Sequence, residues 1–208
     1  MFRFFRKRRN RQMAHAISSQ YLFGLTNEII PGLCRARCIN LPEGKNQPEG
    51  FWTHDYTVGF YVTFISQFIR MLQGIEIGDG RPDKTDHEDK HEIFNLIFDE
   101  ICPDEKEVFM TAMLKQLDEY NATGFASKDF ELALNNVTNI WAFQEGKVEN
   151  LKKEFMDNEE ILEAKKIAKN PHITKMESLV PTVNKLNFNQ RVAVYLTQIY
   201  LTNHLIRF

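Results

Sequence analysis

Apolar residues recur along most of this chain at intervals of three and four, the period of a helix with one buried face. The pattern is densest from Trp52 to Gln73. There Phe60, Tyr61, Val62, Phe64, Ile65, Phe68, Ile69, Met71 and Leu72 occupy nearly the whole helix circumference. A helix that is apolar on almost every side belongs at the centre of a helical protein. Gly59, Thr63, Ser66, Arg70 and Gln73 succeed one another at spacings of four and three and draw one small or polar seam along it. Any functional face of this helix is expected on that seam, with Arg70 paired to one of the acids C-terminal to it. The uncharged run from Tyr56 to Ile69 is 14 residues long and is bracketed by Asp55 and Arg70. A membrane span needs about 20 apolar residues, so the stretch reads as a core helix.

Other helices are arranged on either side. Met13, Ala16, Ile17, Tyr21 and Leu25 predict a first helix over about Arg11–Asn27, which Pro31-Gly32 interrupts. LPEGKNQPEG, residues 41–50, is a loop linking into the central helix, for which Thr53 is the predicted N-cap and Gly74 the stop. Thr85 with Glu88 predicts a capping box. Ile93, Phe94, Ile97, Phe98 and Ile101 then give the core face of the helix it opens. Pro103 opens the next helix, Ser127 caps another, and residues 147–169 form a charged helix with a narrow apolar stripe, kinked near Asp157-Asn158. Pro171 and Pro181 break the chain again, and Asn187 with Gln190 caps a strongly apolar last helix. The fold class is all-α: a single bundle-like domain, residues 13–208, around the central helix 52–73, preceded by a basic aromatic tail, residues 1–12.

Composition agrees with that architecture. Ten Gly and seven Pro in 208 residues are too few for a many-turned β protein. Three cysteines, Cys34, Cys38 and Cys102, and no secretory signal suggest a reducing, cytoplasmic setting without a disulfide framework.

Charge changes the picture more. The net charge is −2, yet the first twelve residues hold Arg3, Arg6, Lys7, Arg8, Arg9 and Arg11 and no acid. Setting those six aside leaves 20 basic against 28 acidic residues in the body. With Phe2 and Phe5 interleaved, this N-terminus is suited to the headgroup layer of an anionic membrane. Nucleic acid phosphates are the other polyanion it could meet.

Candidate chemistry is sparse. His87-Glu88-Asp89-Lys90-His91 is an HExxH string, and on a helix it sets two imidazoles one turn apart. The string resembles the motif of zincin metalloproteases. That resemblance implies Zn²⁺ held by His87 and His91, a third ligand such as Glu107, and Glu88 as general base. Asp89 and Lys90 stand where that family has uncharged residues. Glu88 and His91 alone form the ExxH of di-iron bundles, but no second copy is present. Cys34 and Cys38 lie one turn apart beside arginines and would hold a soft metal such as Cu(I), or else pack as small side chains. The spacings Arg9–His15 and Arg81–His87 are similar to those of HEPN-type helical ribonucleases. His54-Asp55 reads as a polar helix start. No phosphate-binding glycine loop and no GxSxG elbow occur.

Strong helices and weak catalytic constellations point to a non-enzymatic helical interaction protein without a cofactor. Its partner would be another protein or a second copy of itself, with the basic N-terminus holding it at an anionic membrane surface. The alternatives are a zinc-dependent hydrolase at His87, Glu88 and His91, and a nucleic-acid-binding protein.

Overall fold

A computed structural model describes residues 2–75, 81, 85–151, 158–169 and 185–206, with the backbone alone for residues 2–4 and 150. The described residues are all-α, with no strand among them. In chain order the helices are α1 (Phe2–Ile17), α2 (Ile30–Ala36), α3 (Asp55–Leu72), α4 (His87–Ile101), α5 (Lys106–Thr123), α6 (Lys128–Glu145), α7 (Glu159–Lys169) and α8 (Phe188–Tyr200). Among the described residues three π-helical turns interrupt the regular winding, at Ser18–Leu22, Leu25–Ile29 and Leu201–Leu205. The expected breaks at Pro171 and Pro181 and the kink at Asp157 lie outside the described residues.

The central helix is where its pattern put it, shortened to Asp55–Leu72. α6 lies along it, α5 and the 3₁₀ turn Phe51–Thr53 cover its N-terminal half, and α1 crosses it. α4 packs between α1 and α5, and α8 bridges α6 and α7. An aromatic cluster fills one side of α3. Phe98 stacks on Phe109 at 4.0 Å, and Trp52 meets both ring edge to face, at 5.6 and 6.1 Å. Two buried tyrosine hydroxyls in α3 find partners, which removes the cost of burying them unsatisfied. Tyr61 Oη shares a hydrogen bond with Thr26 at 2.8 Å, and Asn136 Nδ2 donates to Tyr56 Oη at 2.9 Å. Burial raises the ionisation of both phenols far above neutral pH, so each stays a neutral hydroxyl.

Gly59, at the head of the polar seam, sets the distance between α3 and α6. A Cβ there would lie 2.8 Å from the Phe130 carbonyl oxygen and 3.0 Å from Ala133 Cβ. Thr63, one turn on, is buried as well. The first half of the seam is therefore a helix–helix contact and not an open face, because small residues let two backbones approach.

The N-terminus departs most from expectation. Residues 2–12 form the first turns of α1, which starts at Phe2 and continues through two π turns into α2, so one helical rod runs from Phe2 to Ala36. Pro31 does not break it. In a regular α-helix the proline ring would collide with the carbonyl of Asn27. Here the wider turn Leu25–Ile29 precedes it, with Ile30 N–H donating to the Leu25 carbonyl five residues back.

Two predicted caps shift by one residue. His54, not Thr53, caps α3, its Nδ1 accepting from Tyr56 N at 3.3 Å. Asp86, not Thr85, caps α4, accepting from Asp89 N at 2.8 Å, while Thr85 is buried and receives a hydrogen bond from Gln73. Ser127 caps α6, and Asn187 with Gln190 forms the capping box of α8, as their spacing indicated. The 41–50 loop is fastened down: Gln47 Nε2 donates to the Thr26 carbonyl at 2.8 Å, and Lys45 pairs with Glu105 at 2.5 Å.

Gly59→Ala should lower stability by about 1–3 kcal/mol, because the methyl meets backbone that cannot retreat. Gly32→Ala, in a helix with nothing within 4 Å of the added methyl, should raise it by roughly 0.5–1 kcal/mol. Chemical denaturation of both variants checks the contrast.

Candidate functional site

The HExxH string occupies the first turns of α4, and the side chain it buries is Asp89. Glu88 is 88% exposed, and His87 and His91 face solvent, the latter 3.0 Å from Asn95. The Asp89 side chain is only 4% exposed. It accepts from Arg6 Nε, from an Arg9 guanidinium nitrogen at 2.7 Å and from Asn10 Nδ2 at 2.6 Å. Around it Arg6 also reaches Asp86 at 2.6 Å and Glu88 at 3.5 Å, and Asn10 donates to Glu92 at 2.7 Å. Burial opposes ionisation of Asp89. The hydrogen bonds from Asn10 and Arg6 and the charges of Arg6 and Arg9 outweigh it and hold this carboxyl below its ordinary range.

The string is thus a receptor for α1. Among the described residues no three His, Cys, Asp or Glu side chains gather closely enough to hold a metal ion. Glu107, on α5, is exposed beside Lys106, so His87 and His91 gain no third ligand from it. Among the described residues the two histidines find no third ligand, and their outward orientation has a physical reason. The string's charged intervening residue, Asp89, points inward, which turns both imidazoles outward.

Docking divides the basic residues into two sets. Arg6 and Arg9 are committed to α4. Lys7, Arg8 and Arg11 lie exposed, as does Phe5, which is 59% accessible, and these three cations meet no carboxylate among the described residues. The side chains of Phe2 and Arg3 lie outside the described residues.

Other candidates are dispersed. Arg9 and His15 part company: His15 sits 3.3 Å from Glu100 while Arg9 holds Asp89. Arg81 donates to the Gly74 carbonyl at 2.9 Å. Asp55 accepts from Gln116 at 2.6 Å, so His54 and Asp55 serve the start of α3 separately. Cys34 is buried, and burial pushes its thiol up despite Arg35. Cys34 thus packs as a small side chain, the second of its two readings. Cys38 is exposed, ending α2 with a left-handed φ of 57°. Ser66 and Arg70 are half-buried on the seam and Gln73 ends it.

Two features have no counterpart in the sequence pattern. One is a polar cluster where α7 meets the C-terminal π turn. Glu160 Oε1 lies 2.9 Å from both His204 Nε2 and Asn203 Nδ2, and the His204 ring stacks on Tyr56 at 5.2 Å. The other is an apolar cleft of about 650 Å³ between the N-terminal rod, α3, α6 and α8. Tyr21, Phe64, Phe68 and Trp141 form its aromatic wall, with Phe68 meeting Tyr21 at 4.3 Å and Trp141 at 4.6 Å. The signal available was Tyr21 and Trp141, large aromatics in helices already supplied with core residues.

Compared with known protein families, curated proteins and solved structures, the chain matches none.

Asp89→Asn should cost about 1–3 kcal/mol, the worth of hydrogen bonds to a charged group. His87→Ala and His91→Ala, being exposed, should stay within about 0.5 kcal/mol of the parent. Because the folded-state ionisation of Asp89 is depressed, its contribution is present above the ordinary carboxylate range. It is lost as pH falls through its lowered value. Urea melts across the acid range should show the parent losing stability that Asp89→Asn lacks from the start.

Proposed function

We propose that this is a non-enzymatic helical interaction protein, held peripherally at an anionic membrane surface by the outer face of α1. The observation that carries the reading is the split of the N-terminal cations. One face of α1 is pinned to α4 through Asp89, and the other presents Lys7, Arg8 and Arg11, with Phe5 exposed at its edge. A helix fixed in this way offers its cations together and loses little freedom on meeting a surface. Each cation near an anionic leaflet contributes about 1 kcal/mol. Three of them with one aromatic side chain support reversible association and not permanent anchoring. No helix among the described residues is long and apolar enough to cross a membrane, which is compatible with a peripheral role.

Removing residues 1–12 is the wrong test, since it also removes Arg6, Arg9 and Asn10 from the α4 contact. The informative variant reverses Lys7, Arg8 and Arg11 to Glu and leaves the inner face intact. Flotation with phosphatidylserine-containing vesicles should show the parent chain bound and the triple variant reduced by roughly 100-fold or more. Neither should float with neutral vesicles. Equal flotation of parent and variant would end the proposal. Salt-dependent binding to a DNA or RNA duplex, lost in the same variant and without any vesicle binding, would transfer the face to nucleic acid.

A further inference from the structure

The rod that carries the outer face of α1 continues beyond it, and its two sides can be followed residue by residue. Asn10, Ala14, Ile17, Leu22, Thr26 and Ile30 are all 0% exposed. They recur three or four positions apart, except across the π turn Ser18–Leu22, where the step from Ile17 to Leu22 is five. The wider turn keeps one side of the rod against the fold. On the other side Arg8, Gln12, His15, Ser19 and Phe23 follow one another at four, three, four and four, and all five are exposed. Phe23 therefore continues the line of Arg8, about 20 Å further along the rod.

Charge along that line is one-sided. The first 27 residues contain no Asp or Glu, so all 28 acids of the chain lie after them. The first acid, Glu28, comes five positions beyond Phe23. From α4, Glu100 approaches the line at His15, 3.3 Å away, where it also accepts a hydrogen bond from Ser18 Oγ. Ser19 turns its hydroxyl back to the His15 carbonyl at 2.6 Å. Phe23 is 48% exposed. Tyr21 nearby meets Phe68 at 4.3 Å, whereas Phe23 has no ring contact with a described residue. A scattered surface aromatic needs no explanation. This one ends a line of positive and uncharged residues on a protein whose remaining chain is acidic.

We infer that the membrane contact of α1 extends along the outer side of the rod to Phe23, whose ring enters the headgroup layer of an anionic bilayer. The inference rests on the membrane role proposed for Lys7, Arg8 and Arg11 and adds an apolar point of contact to it. Salt screens the cations but not an inserted ring. Contact at one end alone leaves the rod free to swing, whereas contact at Arg8 and at Phe23 lays it flat on the surface.

Two measurements on the full chain with phosphatidylserine vesicles test this. In a Phe23→Trp variant, vesicles should move the emission to shorter wavelength, and brominated acyl chains should quench it. Both effects should exceed those in the parent, whose Trp52 and Trp141 are buried. In flotation, Phe23→Ala should bind about three- to tenfold more weakly than the parent. Phe125→Ala, which removes an aromatic 71% exposed outside the rod, should bind as the parent does, and both alanine variants should melt with it. Equal flotation of parent and Phe23→Ala, or unchanged emission from position 23 on bound vesicles, would overturn the inference and leave the role of the three cations standing. A parent chain that does not float would end that role and this inference together. If Phe23→Ala lowers the mass of the vesicle-free protein in light scattering, the ring belongs to a contact between copies and the inference is overturned.

Discussion

Everything in this fold is measured from the close approach of α3 and α6 at Gly59. With no side chain there, α3 sits directly on the Phe130 carbonyl and Ala133, and both helices can bury most of their circumference. Close backbones shorten the reach needed between polar atoms as well. Asn136, nearly two turns beyond Phe130 on α6, therefore meets the Tyr56 hydroxyl, and Asn139 donates to Tyr200 on α8 at 3.3 Å. A wider α3–α6 gap would leave the Asn136 amide and the Tyr56 hydroxyl buried without each other, at about 1–3 kcal/mol each. The packing and the polar network are thus one constraint with two expressions.

Electrostatics does the equivalent work on the other side of the molecule, where α1 lacks the apolar surface to dock by itself. Its inner face near the N-terminus offers Arg6, Arg9 and Asn10, and α4 answers with a nearly buried carboxylate. Both guanidinium groups remain partly open to water, which screens their charges. The contact is consequently one of orientation: it fixes which cations turn inward and which remain outside.

How much of this was legible in the sequence differs by level. Hydrophobic period identified the central helix, the all-α class and the caps at Ser127 and Asn187, because those signals are local. The break expected at Pro31-Gly32 failed because a π turn removes the clash that makes proline a breaker, and nothing in the residue types announces such a turn. The HExxH string was visible, but its meaning depended on which of its five side chains points inward, a fact supplied by α1, with Arg9 lying 80 positions before Asp89. The cleft was illegible for the same reason: Tyr21, Phe64, Trp141 and Val194 come from four separate helical stretches, and each alone passes for an ordinary core or surface residue.

The π turns in the N-terminal rod also act as phase shifters. Each inserts one residue beyond α-helical winding, so each rotates the segment on its N-terminal side by about 100° relative to the segment on its C-terminal side. Across Ser18–Leu22 and Leu25–Ile29 the two offsets accumulate to more than half a turn. The face of α1 that meets Asp89 and the face of α2 that buries Ile30 and Cys34 are aligned with their separate neighbours only through that offset. Chain length between residues 18 and 29 is therefore under tighter control than residue identity there. A single deletion there would leave Arg6, Arg9 and Asp89 chemically intact and still turn the two arginines away from their carboxylate.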